Sequence, residues 1–308
     1  MKIISVFGTR PEPIKMAPVV RALQAVPTLT SLTCVTGQHR EMLDQVLSVF
    51  EIAPDYDLNI MSKGQSLSEV TSRVLRGLEE VIERERPDRI LVQGDTTTAM
   101  AASLAAFYNK VPVGHVEAGL RSGDIHRPWP EEINRRFVDH IADLLFAPTS
   151  GAKALLEAEG LGNRRIIVTG NTVIDALLQT VERIAGVPAL QSSLAAEFSY
   201  LDAAKRLVLV TGHRRESFGD GIQRICRALA LLAQRPDVDV LFPVHLNENV
   251  RNPAREILSG IPSVHLIEPV QYVQFCYLMS RSHIILTDSG GVQEEGPSLG
   301  KPVLVMRD

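Results

Sequence analysis

At 308 residues the chain is long enough for two domains, each with a core of its own. Its 32 Lys and Arg against 36 Asp and Glu leave a formal net charge of -4, which favours neither nucleic acid nor an acidic membrane surface as a partner. Cys34, Cys226 and Cys276 lie far apart without a Cys-x-x-Cys, so they read as small buried hydrophobes of a reducing cytosol.

The chain opens on an apolar run, Ile3–Phe7, too short for a signal peptide and ended at once by Gly8-Thr9-Arg10-Pro11. This predicts a strand turning into a helix. Such a turn offers backbone N–H groups and the positive end of a helix dipole, and Arg10 and Lys15 add fixed charge that suits a diphosphate. An ordinary strand–helix turn with solvated basic residues fits the same letters, and both readings stand. A second strand is predicted at Leu32–Thr36. Between Leu67 and Glu83, the residues Leu67, Val70, Val74, Leu75, Leu78 and Ile82 fall on one stripe, the spacing of an amphipathic helix. The next strand, Arg89–Gln93, runs into Gly94-Asp95.

The segment 115–136 is the densest in chemistry. A predicted buried strand, Val111–Val116, runs into a loop holding Glu117, Arg121, Asp124, His126, Arg127 and the lone Trp129. The loop closes on Pro130-Glu131-Glu132, and proline is a good first residue for the helix that follows. Ile133, Phe137, Ile141 and Leu144-Leu145 are expected to form the buried stripe of that helix. Carboxylates at strand ends with arginines close by, here Asp95, Glu117 and Glu131, point to proton transfer beside an anionic substrate. Glu132 reads as a helix-start glutamate that complements the dipole. His115 reads as a hydrogen-bonded core histidine, because nothing supplies a further ligand at metal-site spacing; no metal is expected.

Strands continue at Leu144–Ala147 and Ile166–Thr169, and a second set follows at Leu207–Thr211, Val238–Phe242, Val264–Ile267, Ile284–Thr287 and Val303–Met306. The polar, Ala-rich stretch Ala185–Lys205 reads as the approach to the second set. Strands alternating with helices predict an α/β fold: two Rossmann-like doubly wound domains, 1–170 and 171–308, facing a central cleft. After strand 207–211 comes His213-Arg214-Arg215-Glu216-Ser217, where a surface charge cluster competes with anion binding by at least His213, the reading the strand-end position favours. After strand 284–287 comes Asp288-Ser289-Gly290-Gly291-Val292-Gln293-Glu294-Glu295. Its glycines let backbone approach a ligand, and Ser289 can cap the helix. Glu295 is placed to accept two hydrogen bonds from a ribose diol, though a first-turn glutamate also suits the dipole. No Gly-x-Gly-x-x-Gly and no Walker-type loop occurs. No stretch approaches the roughly 20 apolar residues of a membrane span, so a soluble cytoplasmic protein is expected.

The motifs FGTRPEPIKMAPV (from Phe7), QHREMLDQVL (from Gln38), GDTTTAM (from Gly94), GHVEAGLRSGD (from Gly114), PWPEEINR (from Pro128), GNTVIDALL (from Gly170), TGHRRESFG (from Thr211), PVHLN (from Pro243) and TDSGGVQEEGPSLGKPVLVMRD (from Thr287) resemble those of the bacterial non-hydrolysing UDP-N-acetylglucosamine 2-epimerases. The resemblance runs from Met1 to Asp308 and is specific, given the number and length of the motifs. It implies a glycosyltransferase-B-like fold, a homodimer and no cofactor. It also implies interconversion of UDP-N-acetylglucosamine and UDP-N-acetylmannosamine, supplying a bacterial surface polysaccharide. The family route expels UDP from C1 to give 2-acetamidoglucal, then adds a proton and UDP back. By resemblance, Asp95, Glu117 and Glu131 are the acid/base residues, and which serves which face of C2 stays open. Arg10, Lys15, His213, Ser289, Gly290, Gly291 and Glu295 match the UDP-binding positions, with His213 also placed at the chemistry, and Phe275 packs near uracil. Gln38 and Arg214 match a region where some relatives bind a second, activating UDP-N-acetylglucosamine, but Glu41 and Gly64 stand where certain relatives have Gln and Arg. The chain ends at Asp308 inside the last motif, where relatives continue, so the family's C-terminal helices are expected to be absent from it.

A glycosyltransferase of the same fold is the nearest rival; it needs an acceptor site and no acid/base pair at C2. A hydrolysing epimerase differs in its product, free N-acetylmannosamine. A nucleotide-sugar sensor would have no need of Asp95, Glu117 and Glu131 beside a dianionic ligand.

Overall fold

A computed structural model describes residues 1–9, 11–37, 40–62, 64–212 and 218–306, with backbone only at 40–42. The chain divides into two compact units, Met1–Ala176 and Leu177–Asp308.

In the first unit, strands β1 (Lys2–Phe7), β2 (Thr30–Val35), β3 (Tyr56–Asp57), β4 (Arg89–Gln93), β5 (Val113–Val116), β6 (Leu144–Ala147) and β7 (Arg165–Val168) alternate with helices. The helices are α1 (Pro11–Gln24), α2 (Arg40–Val49), α3 (Leu67–Glu85), α4 (Thr97–Tyr108), α5 (Glu131–Ile141) and α6 (Ser150–Leu156), the last running into a π-turn at Glu157–Leu161. Helix α7 (Thr172–Gly186) contains the division between the units; the boundary read from the sequence falls just ahead of it. The sheet has the order β3-β2-β1-β4-β5-β6-β7 and is parallel throughout. Parallel strands need both faces covered, which explains their near-continuous Val, Ile and Leu. Ile4, Val6, Ile90, Val92 and Leu145 are buried in one cluster with Val74 and Leu78 of α3. Helix α3 starts on a capping box, with Ser66 and Glu69 bonding each other's backbone, and its Val70, Val74, Leu78, Val81 and Ile82 face inward. Leu67 lies at the rim, partly exposed.

Helix α5 departs from the expected pattern. Ile133 and Phe137 are 46% and 37% exposed, while Glu132, Asn134, Arg135, Val138 and Asp139 are buried. The helix turns a polar face inward because that face closes over the charged strand ends described below. An apolar stripe is the usual inner face, and here the inner face has carboxylates to neutralise.

In the second unit, α8 (Pro188–Glu197) lies within the stretch read as an approach, with Pro188 opening it. It is followed by β8 (Arg206–Thr211), α9 (Asp220–Leu232), β9 (Val238–Pro243), α10 (Glu248–Leu258), β10 (Val264–Ile267), α11 (Tyr272–Arg281), β11 (Ile284–Thr287), α12 (Gly290–Ser298) and β12 (Val303–Val305). The sheet order is β10-β9-β8-β11-β12, again all parallel. Alternate residues serve opposite faces. Val208 and Val210 pack with Ile222, Cys226 and Leu229 of α9, whereas Leu207 and Leu209 pack with Cys276, Leu278 and Met279 of α11.

Cys34, Cys226 and Cys276 are free and buried, as their spacing suggested. Burial pushes the Cys34 thiol up to about 12 and the Cys226 thiol to about 11, so neither is a nucleophile near neutrality. Among the described residues, no helix is long and apolar enough to cross a membrane.

Candidate active site

In each sheet the strand order reverses beside the first strand of the unit, between β1 and β4 in one and between β8 and β11 in the other. Such a switch point, at the carboxyl ends of the strands, is where doubly wound sheets hold ligands. The turns after β1, β4, β5 and β11 carry residues singled out above. Arg10, Gln38, His213 and Arg214 lie outside the described residues, as does the side chain of Glu41.

Glu117 directly follows β5 and adopts a left-handed backbone, φ 68°. Glycine favours that region, and a glutamate there costs of order 1–2 kcal/mol, held in place by its surroundings. Lys15 supplies part of that hold, with Nζ donating to Oε1 and Oε2 at 2.6 Å each. Gln93, at the end of β4, donates its amide to Oε2. The Glu117 carboxylate is only 11% exposed. Lys15 therefore meets a carboxylate of its own chain, where the sequence alone suggested a phosphate partner.

Asp95 stands one residue beyond the turn glycine Gly94, which has φ 69°. Arg135 Nη2 donates to Asp95 Oδ2, and Asn134 Nδ2 donates to the Asp95 carbonyl at 3.0 Å. Both partners come from α5, the helix that Glu131 opens. Glu131 Oε2 is buried without a hydrogen-bond partner among the described residues. A buried carboxyl oxygen normally has one, and its lack is an opening for a ligand donor.

Behind these residues lies a layer of fully buried charge. Glu132 is 0% exposed; it accepts from Arg135 Nη1 at 2.8 Å, Arg136 Nε at 3.0 Å and the Ser122 amide at 3.1 Å. Burial pushes its carboxyl up, but these donors and the two guanidinium charges bring it below the usual range. Glu132 does stand in the first turn of α5, as expected, and it is in addition a buried counter-ion to two arginines. His115 is the predicted core histidine, with Nδ1 2.6 Å from Asp139 Oδ1 and Nε2 2.8 Å from the Gly94 carbonyl. Asp139, also fully buried, takes Arg121 Nη1 at 2.8 Å. Desolvation opposes its ionisation, and His115 and Arg121 outweigh that, so its carboxyl lies below the ordinary value. Arg121 is bound at its other edge by Glu159 at 2.9 and 2.6 Å. The crowded loop therefore divides in two. Arg121 is structural, whereas Asp124, His126, Arg127 and Trp129 sit in an exposed turn closed by the Arg127 amide on the Asp124 carbonyl at 3.0 Å.

In the turn after β1, the Gly8 and Thr9 amides, which one of the two readings offered to a phosphate, donate to Glu12 Oε2 at 2.8 and 2.6 Å. The chain supplies its own anion there.

In the second unit, Ser289 takes the N-cap position of α12, but its side chain makes no cap bond; its amide donates to Thr287 Oγ1 at 3.0 Å. Gly290 and Gly291 do not have positive φ. Among the described residues, a Cβ on Gly290 would meet nothing within 4 Å, and one on Gly291 only Glu295 Oε2 at 3.5 Å. Among the described residues, nothing thus requires glycine at either place. Space left open at a helix N-terminus, at a switch point, suits a bulky anion. Glu295 is buried beneath this turn, and Phe275 is partly buried on α11 against the core. Among the described residues, no group of His, Cys, Asp and Glu is arranged to hold a metal ion.

Sequence reasoning missed Glu12, Gln93, Asn134, Arg135 and Asp139. A signal existed for Arg135: Arg135-Arg136 is an adjacent basic pair spaced to reach Glu132 along one helix.

Comparisons with known proteins bear on the family and the fold. A family model described as UDP-N-acetylglucosamine 2-epimerase matches residues 21–308. The chain is 58% identical over 309 residues to a UDP-N-acetylglucosamine 2-epimerase of Yersinia pestis, covering 100% of this chain and 82% of that one. It is 55% identical over 309 residues to that of Escherichia coli K12, with the same 100% and 82% coverage. Among solved structures, UDP-GlcNAc 2-epimerase from Neisseria meningitidis bound to UDP-GlcNAc superposes with a TM-score of 0.89 at 53% identity, covering 100% of this chain and 83% of that one. The glycosyltransferase-B-like α/β fold is common to both.

Proposed function

The chain belongs to the UDP-N-acetylglucosamine 2-epimerase family, a family of isomerases, and on that premise we propose that it epimerises UDP-N-acetylglucosamine at C2 by eliminating and re-adding UDP. The observation that carries the reading is Glu117, a carboxylate held in a left-handed backbone at a strand end by Lys15 and Gln93. A side chain kept in a costly conformation by a dedicated cation is placed for chemistry.

The hydrogen on C2 is not acidic, so its removal must be coupled to departure of the leaving group. In this reading a carboxylate takes the C2 proton, the C–H pair becomes the C1=C2 bond, and the C1–O bond breaks with its electrons leaving on UDP. A second carboxyl group, in its protonated form, gives its proton to the other face of 2-acetamidoglucal at C2, and a phosphate oxygen of UDP re-adds at C1. Asp95, Glu117 and Glu131 are the three groups assigned, and each such positioned group contributes roughly 10²–10⁴-fold. Glu131 is assigned to the sugar because its Oε2 has no hydrogen-bond partner among the described residues. The first domain, 1–170, carries this chemistry. The second, 171–308, binds the nucleotide: diphosphate at His213, Ser289, Gly290 and Gly291, ribose at Glu295, uracil near Phe275. Lys15, which the resemblance matches to a UDP-binding position, is taken here as the cation that holds Glu117. The reading extends to a non-hydrolysing, cytoplasmic homodimer whose product supplies N-acetylmannosamine to a bacterial surface polysaccharide.

The test is an NMR assay of UDP-N-acetylglucosamine in heavy water. UDP-N-acetylmannosamine should form with deuterium at C2. Product that keeps its original C2 hydrogen excludes the elimination route.

The glycine pair gives a separate test of the nucleotide site. Gly290→Ala should leave the melting temperature unchanged or slightly raised, since alanine is favoured over glycine in a helix by up to ~1 kcal/mol. The same methyl should lower UDP affinity about tenfold or more, a loss of about 1.4 kcal/mol, read by calorimetry. Unchanged affinity removes this turn from the diphosphate site.

A further inference from the structure

We propose that Glu12 is a positioning residue for the turn that carries Asp95. The proposal rests on the reading above, in which Asp95 handles a proton of the sugar.

Glu12 is 0% exposed and lies in the first turn of α1, with no place in the reaction. Its Oε1 accepts from Thr96 Oγ1 at 2.6 Å, across 84 residues of sequence. Its Oε2 accepts from the amides of Gly8 and Thr9 at 2.8 and 2.6 Å. One carboxylate thus ties together the turns after β1 and β4, the strands that flank the switch point. Thr96 is the residue after Asp95, and its hydroxyl also caps α4 by accepting from the Ala99 amide at 3.0 Å. On the other side of Asp95, the Gly94 carbonyl is fixed by His115 at 2.8 Å. The Asp95 backbone is therefore pinned before and after, and Glu12 supplies the pin on the Thr96 side.

A buried carboxylate is a costly way to hold two turns together. Burial pushes the Glu12 carboxyl up, against the hydrogen bonds from Thr96, Thr9 and Gly8. What the carboxylate achieves, and an apolar side chain would not, is fixed placement of two loops whose side chains must meet a sugar within a fraction of an ångström. Misplacing a reacting group by about 1 Å costs up to roughly 10²-fold.

The experiment compares Glu12→Gln, Thr96→Val and Thr96→Ser with the unaltered enzyme, each assayed well below its own melting midpoint. Glu12→Gln and Thr96→Val should lower kcat by roughly 10- to 100-fold while KM and the UDP dissociation constant hold within about threefold. Thr96→Ser, which keeps the hydroxyl, should restore kcat to within about threefold. A purely structural role would lower the melting midpoint and leave kcat in place, and that result overturns the proposal. Equal loss in Thr96→Ser and Thr96→Val also overturns it, because the hydroxyl would then not be the link. If Glu12→Gln fails to fold, the Thr96 pair decides. Failure of the underlying reading shows separately, as absence of deuterium at C2 in the unaltered enzyme.

Discussion

Glu117→Gln is expected to lower turnover by roughly 10²–10⁴-fold while the protein still folds and binds UDP. The change keeps the size of the side chain and its left-handed backbone, φ 68° in the native chain, so no new strain is added. Lys15 then faces a neutral amide in place of the carboxylate it meets at 2.6 Å. Lys15 is 21% exposed, so water relieves part of that loss and the effect on stability is modest. What disappears is the capacity to take or return a proton. Asp95→Asn and Glu131→Gln should each cost a similar factor by the same logic. Steady-state kinetics and UDP calorimetry on the same preparations separate chemistry from binding. If any of the three variants keeps a near-native rate, that residue leaves the mechanism and is a structural carboxylate only.

The sheets were legible because parallel strands buried on both faces are written in unbroken apolar runs. Arg89–Gln93, Leu144–Ala147, Val264–Ile267 and Ile284–Thr287 coincide with β4, β6, β10 and β11. The strand β3, two residues long at Tyr56–Asp57, has no periodicity to read. Asp95, Glu117 and Glu131 stood out for a local reason: each sits at the end of a predicted strand or the start of a predicted helix. The residues that hold them did not stand out, because their partners are distant in sequence. Gln93 reaches Glu117 across 24 residues, Arg135 reaches Asp95 across 40, and Glu12 reaches Thr96 across 84. Periodicity speaks of burial and spacing within one element and is silent on such pairs. It also misled at α5, where the buried face carries Glu132, Arg135 and Asp139. A rule that sends apolar residues inward fails where the interior already holds charge that needs a counter-ion. The turn after β1 admits two readings for a related reason: Gly8 and Thr9 offer amides, and Glu12, a few residues on, takes both.

Replacing Glu132 tests that point about buried charge. Glu132→Ala is expected to destabilise the first unit by about 3–5 kcal/mol, the usual cost of breaking a buried ion pair by removing one partner. Arg135 is only 8% exposed, and Glu132 is the acceptor of its Nη1 at 2.8 Å beside the Leu120 carbonyl at 3.1 Å. Without Glu132 that guanidinium keeps, among the described residues, a single anionic partner, Asp95, and the Ser122 amide loses its acceptor. Arg136, less buried, turns to water and contributes little. For a unit of this size the loss corresponds to roughly 6–20 °C in melting midpoint. Glu132→Gln keeps an acceptor oxygen and removes the charge, so it should fall between the two. Thermal melts followed by circular dichroism make the comparison. A midpoint for Glu132→Ala within about 2 °C of the native protein would contradict the buried counter-ion and return Glu132 to the role its place in the first helical turn first suggests. A large drop would show that the polar inner face of α5, with Arg135 between Glu132 and Asp95, is held by this carboxylate.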